Sequence, residues 1–504
     1  MSTKKLPRAS KLARKLLDNG DEHRTEYHGR ESAWDALRRG EITAFEKFGE
    51  AYFMSLFNKW VRQRANFIET ALRRAHYRPI EEIMQDQPEM AMQNECATQL
   101  KKGQKYFIQL HDSMIIAVQV GKKPIDQGAH IIGAHIDSPG IVGRIRGLSQ
   151  NYNLAMIDCT VRGGVDPKEF FNTPMSMFFH GVVRSARGQD VSIEAILGEQ
   201  QGEPHFYFPE GSEHLNEGNI PTIEQLHAVL ANRPYPQRFD TDKRILLNAI
   251  YELNKRFRIT ESALTKAELW FLPSQAPVWV GTDFSMISAY GQDNWASVFA
   301  LLYGFLSAKQ PEYTKIAVFY DKEEIGDTGR GSLGTKFIDD IVLPSLANLV
   351  GKELGDQWKM TRNSWSAFID VTEPIQPYTP QKHDPRDSAY LGSGVTILPT
   401  SGDVGNLWGY ESSPEFRHAI SKLFKEKRIP HQFAIMGRHD NTAGGNSAEF
   451  HLSMAEGIDL SVPLLGMHRT NELTSMVDLW YLFKAVNAFY MVTSHDAYLP
   501  KIRA

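Results

Sequence analysis

Residues 129–136, AHIIGAHI, form a nearly continuous apolar run of strand length. A strand that is apolar on both faces has to be covered on both faces, as in parallel or mixed sheets with helices packed above and below. The run breaks abruptly at His135-Ile136-Asp137-Ser138-Pro139-Gly140. Side chains two apart along a strand leave on the same side, which places His135 and Asp137 together. A carboxylate beside an imidazole orients the ring of a metal-binding histidine, although a lone His-x-Asp at a turn is more often a solvated surface feature.

The same ending recurs along the chain. Residues 316–320 are another short apolar run, followed by Asp321-Lys322-Glu323-Glu324 and then glycines; residues 366–369 run into Asp370, and residues 462–467 into His468. From residue 295 to 306 the apolar residues recur at helical spacing, directly after Asp293-Asn294. In open α/β sheets ligands bind beyond the carboxyl ends of the strands, so His135, Glu323, Glu324, Asp370 and His468 can share one crevice. A bare Glu-Glu pair reads as a solvated turn, but convergence of donors from several strand ends is a far stronger signal. Asp293 completes a nitrogen and oxygen donor set suited to two metal ions, with its carboxylate as the natural bridge. Adjacent side chains leaving a strand diverge, so Glu323 and Glu324 divide the work: one holds metal, the other takes a proton from activated water.

A chain of 504 residues is too long for one ordinary core. The second half reads as α/β, with helices over 294–308, around 335–350 and over 414–427, and strands over 315–320, 366–371, 432–436 and 461–467. Ahead of it, residues 41–75 read as one long amphipathic helix whose broad face carries Phe45, Phe48, Tyr52, Phe53, Leu56 and Trp60. Strands over 105–110 and 113–120 turn at His111-Asp112. Between 144 and 280 the order changes: strand-like segments such as 175–183 and 191–197 alternate with loops rich in Gly, Pro and Glu. The sequence therefore predicts a basic tail over 1–40, an α/β domain built from 41–143 and 281–504, and an inserted, mainly β domain over 144–280.

Several functions are disfavoured. Only Cys96 and Cys159 occur, so neither a disulfide framework nor a cysteine-built zinc site is expected, and any metal falls to His, Asp and Glu. A net charge of −4, with 42% hydrophobic and 23% charged residues, is globular and exerts no overall pull toward nucleic acid or membrane. No apolar run approaches membrane-span length and no signal core appears at the start, which predicts a cytoplasmic protein. Gly329-Arg330-Gly331-Ser332-Leu333-Gly334 matches G-x-G-x-x-G, but it falls well past the strand end, where it cannot seat a pyrophosphate on a helix start. Neither Gly-x-Ser-x-Gly nor His-Glu-x-x-His is present.

HIDSPG at 135–140, GQDN at 291–294, DKEEIG at 321–326, Asp370 in FIDV and GMH at 466–468 resemble, in order and spacing, the M18 family of metalloaminopeptidases, which includes aspartyl aminopeptidases and aminopeptidase I. The similarity runs from about residue 95 to 490 and includes RGGVDPKEFFNTPMSMFFHGVV, SAYLGSGV and GRHDNTAGGNSAEF. It implies a mixed-sheet di-zinc peptidase domain with helices on both faces, interrupted by an inserted, mainly β dimerisation domain and assembled as dimers within a dodecamer. It places His135 and Asp370 on one metal and Glu324 and His468 on the other. Asp293 would bridge them, with Glu323 as general base and Asp137 orienting His135. The family also brings a histidine from the inserted domain of a neighbouring subunit to the scissile carbonyl; aligning PHFYFPEGSEHL assigns that role to His214, with His205 close by.

The resemblance implies two divalent cations per subunit, zinc first, with manganese or cobalt also compatible with these donors. The implied substrate is a peptide with a free amino end. Family members often carry basic residues after the SAYL-like segment, yet residues 391–412 contain neither Lys nor Arg. Neutral or apolar N-terminal residues are therefore expected in preference to Asp or Glu. The glycine-rich run is also altered, at Asn441, Thr442 and Ala443. Rival readings are an acid-preferring aminopeptidase, another di-metal amidohydrolase such as a carboxypeptidase or deacylase, and a non-catalytic assembly protein that retains the shell. Peptides blocked at either end, assayed beside metal content, separate these.

Overall fold

The computed structural model describes residues 31–85, 101–212, 214, 222, 226–239, 241–333, 342–344, 354–399, 410–438, 441–442, 450–451 and 455–500. The helix expected around 335–350 lies outside the described residues except at 342–344, and so do the first 30 residues of the basic tail, Cys96 and Ala443.

In chain order the strands are β1 (Arg78–Pro79), β2 (Lys105–Leu110), β3 (Met114–Gln119) and β4 (Ala129–His135). There follow β5 (Gly140–Asn151), β6 (Leu154–Arg162), β7 (Met175–Arg184), β8 (Asp190–Leu197), β9 (His227–Ala231) and β10 (Glu268–Pro273). Next come β11 (Val278–Val280), β12 (Met286–Ala289), β13 (Thr314–Tyr320), β14 (Trp365–Thr372) and β15 (Val395–Leu398). The last are β16 (His431–Phe433), β17 (Gly437–Arg438), β18 (Asn441–Thr442), β19 (Glu456–Leu465) and β20 (Glu472–Ser475). The principal helices are α1 (Ile42–Ser55), α2 (Val61–Arg74), α3 (Arg244–Phe257), α4 (Gln292–Ser307), α5 (Leu354–Asn363), α6 (Pro414–Lys427) and α7 (Met476–Tyr490).

A twelve-stranded mixed sheet runs β1-β2-β3-β13-β4-β14-β19-β20-β12-β11, with β15 and β16 attached beside β19. Its middle strands β13, β4, β14 and β19 are parallel, so their carboxyl ends lie side by side. Antiparallel pairings of β13 with β3 and of β19 with β20 begin the flanks. The apolar alternation explains why this sheet needs cover on both sides. Ile132 and Ala134 of β4 and Ala317 and Phe319 of β13 enter one core, with residues of α1, α2, α4, α6 and α7. Ile131, Ile316, Val318 and Tyr320 enter a second core on the opposite face, with Met360 of α5. No helix among the described residues is long and apolar enough to cross a membrane.

The single helix expected over 41–75 is two helices. Residue 60 has extended backbone, and the Gln63 side-chain oxygen accepts from the N–H groups of Lys59 (3.2 Å) and Trp60 (3.1 Å). That cap restarts the chain as α2, since a side chain that satisfies the first N–H groups marks a helix beginning. The aromatic face survives the break: Phe48 and Tyr52 pack on Phe299 of α4.

A separate six-stranded sheet has the order β8-β7-β10-β5-β6-β9. Its pairings are all antiparallel. It leaves the large sheet at Gly140, just beyond the end of β4, and its own core includes Ile141, Phe179 and Phe271.

Candidate metal centre

Each side chain singled out at a strand end sits where a regular element stops. His135 is the last residue of β4, paired with Tyr320 at the end of β13. The chain then turns through Lys322 in left-handed conformation (φ 75°) into a short 3-10 turn, Glu323–Ile325. Asp370 lies near the end of β14. His468 follows β19 in a turn where Gly466 and His468 have φ of 69° and 62°. Asp293 opens α4 with non-helical angles (φ −79°, ψ 108°), and its peptide bond to Asn294 is cis. The helix start is tied to β14 by side chains: Asn294 Nδ2 donates to Ile369 O (3.0 Å) and Ser297 Oγ to Asp370 O (2.8 Å).

These residues meet around Asp293. Its Oδ1 lies 3.4 Å from His135 Nε2, and its Oδ2 lies 3.1 Å from His468 Nε2. Asp370 Oδ1 is 3.4 Å from His135 Nε2, and Glu324 Oε2 is 3.5 Å from His468 Nε2. Glu323 Oε2 stands slightly farther off, 3.9 Å from His135 Nε2. Ligand atoms of His135, Asp293 and Glu324 all lie within 4.8 Å of one another.

Both imidazoles are anchored in the same way. His135 Nδ1 is 3.2 Å from the Asp137 carbonyl oxygen, and His468 Nδ1 is 2.9 Å from the Gly164 carbonyl oxygen. A carbonyl only accepts, so each Nδ1 carries the proton and each Nε2 faces Asp293. Asp137 does more than sit beside His135. Its carboxylate, 3.4 Å from Nδ1, also accepts from the N–H groups of Glu323 (3.2 Å) and Glu324 (3.3 Å), fixing the turn that carries both glutamates.

Electrostatics show how much charge is gathered here. Burial, then the nearby Asp293 charge, drive the Glu324 carboxyl well above its ordinary range. Burial also raises Asp370, against the pull of His135. Burial alone would lower both histidines, but Asp370 and Glu323 hold His135 well up, and the bond to Asp293 with the Glu324 charge holds His468 up at about 11. Burial pushes Asp293 up too, yet hydrogen bonds from the two imidazoles outweigh it and leave Asp293 below the usual carboxylate range. Buried carboxylates so crowded require compensating positive charge. Glu324 Oε1 is buried and has no hydrogen-bond partner among the described residues, as an oxygen reserved for a cation would be. The donor set, nitrogen and oxygen without sulfur, fits zinc or a similar divalent ion.

The two inserted-region histidines are not brought to this cluster within the chain. His205 and His214 are exposed, and among the described residues neither makes a hydrogen bond or ion pair with a cluster member. Conversely, three contributors escape a reading of sequence pattern. Arg64 of α2, buried beneath the centre, donates to Ile136 O (2.8 Å), Ser138 Oγ (2.8 Å) and Gly291 O (2.7 Å), joining the loops that follow β4 and β12. Glu472 at the start of β20 accepts from the His468 and Asp293 N–H groups. Gly164, in the loop that follows β6, anchors His468. An arginine on an aromatic helix face and a glutamate four residues past a histidine carry no periodic signal; only the meeting of distant segments reveals them.

The same arrangement of elements is found in known proteins. Residues 80–490 match the family described as aminopeptidase I zinc metalloprotease (M18). The chain is 28% identical over 400 residues to the probable M18 family aminopeptidase 1 of Borrelia garinii subsp. bavariensis, covering 77% of this chain and 86% of that protein. Its fold resembles the crystal structure of aminopeptidase I from Clostridium acetobutylicum, with a TM-score of 0.80 at 24% identity over 92% of this chain and 99% of the other. It also resembles the S. cerevisiae mApe1 dodecamer, with a TM-score of 0.69 at 14% identity over 89% and 97% of the two chains. The match spans well over half the sequence, and the chain therefore belongs to the M18 family of zinc aminopeptidases.

Proposed function

We propose that this M18 aminopeptidase removes the N-terminal residue from peptides at a dinuclear centre, with Glu323 as the general base. The observation that supports it is the position of Asp293, whose two carboxylate oxygens face different imidazoles, His135 at 3.4 Å and His468 at 3.1 Å. His135 and Asp370 would hold one ion, Glu324 and His468 the other, and Asp293 both. When bound, a zinc pair supplies positive charge that acidifies water and polarises the scissile carbonyl.

The remaining chemistry belongs to the protein. Glu323 accepts a proton from the attacking water as the carbon–oxygen bond forms, then returns it to the leaving amine as the carbon–nitrogen bond breaks. Asp137 keeps the Glu323 backbone in place for both transfers. His214, exposed on its own chain, would approach the scissile carbonyl in a neighbouring subunit, in dimers within a dodecamer. Among described basic groups, Arg469, beside His468, is already paired with Glu169 (2.8 Å), and Arg162 lies over the Trp270 ring. This occupancy, with the absence of Lys and Arg from 391–412, supports a preference for neutral or apolar N-terminal residues.

Paired substitutions test the reading. E323Q should retain zinc and lose activity by about a hundredfold to ten-thousandfold, because only the proton acceptor is removed. D293A should lose zinc at both positions, as measured by metal analysis after dialysis. Unchanged turnover in E323Q, or two tightly held ions in D293A, rejects the assignment. Aminoacyl-anilides of Leu, Ala, Asp and Glu read the preference, which fails if the acidic pair is cleaved best.

A further inference from the structure

Glu472 is almost wholly buried, at 1% exposure. Its two carboxylate oxygens serve different stretches of backbone. Oε1 accepts from His468 N–H at 2.8 Å, and Oε2 accepts from Asp293 N–H at 3.1 Å. Neither N–H belongs to a regular ladder: His468 has a left-handed backbone, and Asp293 stands outside helical angles at the head of α4. β20 lies between the two segments, pairing with β12 through Ala289 opposite Glu472 and with β19 through Leu465 opposite Leu473. The same residue is held along its main chain, where Gln292 Nε2 donates to Glu472 O at 2.5 Å.

We propose that Glu472 is a positioning residue that sets the separation of the Asp293 and His468 backbones, and so the metal affinity of the position these two side chains share. Both of its carboxylate oxygens are engaged by backbone N–H groups, which leaves it to act through Asp293 and His468. The inference rests on reading Asp293 and His468 as metal ligands. The carboxylate suits the task because an N–H only donates, so both oxygens must accept, and a single rigid group can then span two loops. Glutamine has nearly the same shape but presents an amide nitrogen to one of the two donors.

The test is a zinc titration of metal-free protein against a chromophoric chelator, run on wild type, E472Q, E472D and D293A, with the unfolding temperature of each metal-free protein measured alongside. E472Q should bind zinc about tenfold to a hundredfold more weakly, the range typical of groups that orient metal ligands, while its metal-free unfolding temperature stays near that of wild type. E472D, too short to reach both donors, should also be weakened. Wild-type zinc affinity in E472Q, or a weakening matched by loss of folded metal-free protein, overturns the proposal. If E472Q does not fold, E472D decides: tenfold weaker binding supports the role and wild-type binding removes it. D293A separates the two layers. Loss of zinc in D293A with unaltered E472Q defeats the role of Glu472 alone, whereas full zinc occupancy in D293A defeats the ligand assignment beneath it.

Discussion

A single carbonyl, that of Gly164, fixes which nitrogen of His468 faces the centre, and the absence of a side chain there lets it come close. A Cβ at this position would lie 3.2 Å from His468 Nδ1 and 3.4 Å from Cε1. G164A is therefore expected to push the ring and, on the proposed assignment of His468 as a ligand, to lower kcat/KM by about tenfold, since misplacing an imidazole that binds metal acts like loss of the group that orients it. Steady-state kinetics at saturating zinc, with circular dichroism to show an intact fold, check this; wild-type kinetics would mean the ring yields at no cost. At this scale the sequence showed a great deal. That His135, Glu323, Glu324, Asp370 and His468 gather beyond strand ends was legible because each follows an apolar run, and Asp293 was legible because it precedes one. Gly164, Arg64 and Glu472 were not, because their partners lie far away in the chain and no local pattern encodes a hydrogen bond to a distant backbone.

Among the elements, α4 and β13 are joined by a buried lysine. Lys315 Nζ donates to Phe305 O and Ala308 O, both at 2.5 Å, satisfying carbonyls at the end of α4 that the helix leaves unpaired. Burial, with a smaller contribution from Lys105, lowers its pKa to about 7. Between about pH 7 and the ordinary lysine value near 10.4, the unfolded chain holds a proton that the folded chain releases. Stability should therefore rise with pH through that window and be flat, as far as this group is concerned, below it. In K315M the rise should shrink, with unfolding midpoints at pH 7 and pH 9 closer together than in wild type; an equal gap in both proteins refutes the assignment. The elements also show where local pattern misleads. Apolar spacing carried a single helix across residues 56–60, but Gln63 caps a new helix there, and a cap depends on one side chain that periodicity does not register.

The whole molecule stakes part of its stability on the centre. Carboxylates of Asp293, Glu324 and Asp370 are packed against two imidazoles, and the repulsion among the carboxylates opposes folding unless a cation offsets it. On the proposed assignment zinc binds the folded form only, so each ion held at a thousandfold excess over its Kd adds about 4 kcal/mol. Chelation should lower the unfolding temperature by several degrees, and restoring zinc should recover it; differential scanning fluorimetry with and without chelator decides, and identical midpoints would show that the cluster is not a resident metal site. The segment that joins β6 to β7 takes part as well, through the contact of Gly164 O with His468 and the pairing of Glu169 with Arg469.

The amino-acid sequence by itself determined a mixed α/β sheet covered on both faces, because strands apolar on both sides have no other stable environment. It also determined the donor types, because a chain with two cysteines leaves metal binding to histidine and carboxylate. Tertiary structure alone decided that Asp293 stands between the two imidazoles, that backbone carbonyls select their tautomers, and that Glu472 and Arg64 hold the loops together. Those outcomes depend on distances between segments far apart in the chain, which are set by how the strands pair and pack and by nothing that can be read at any one position.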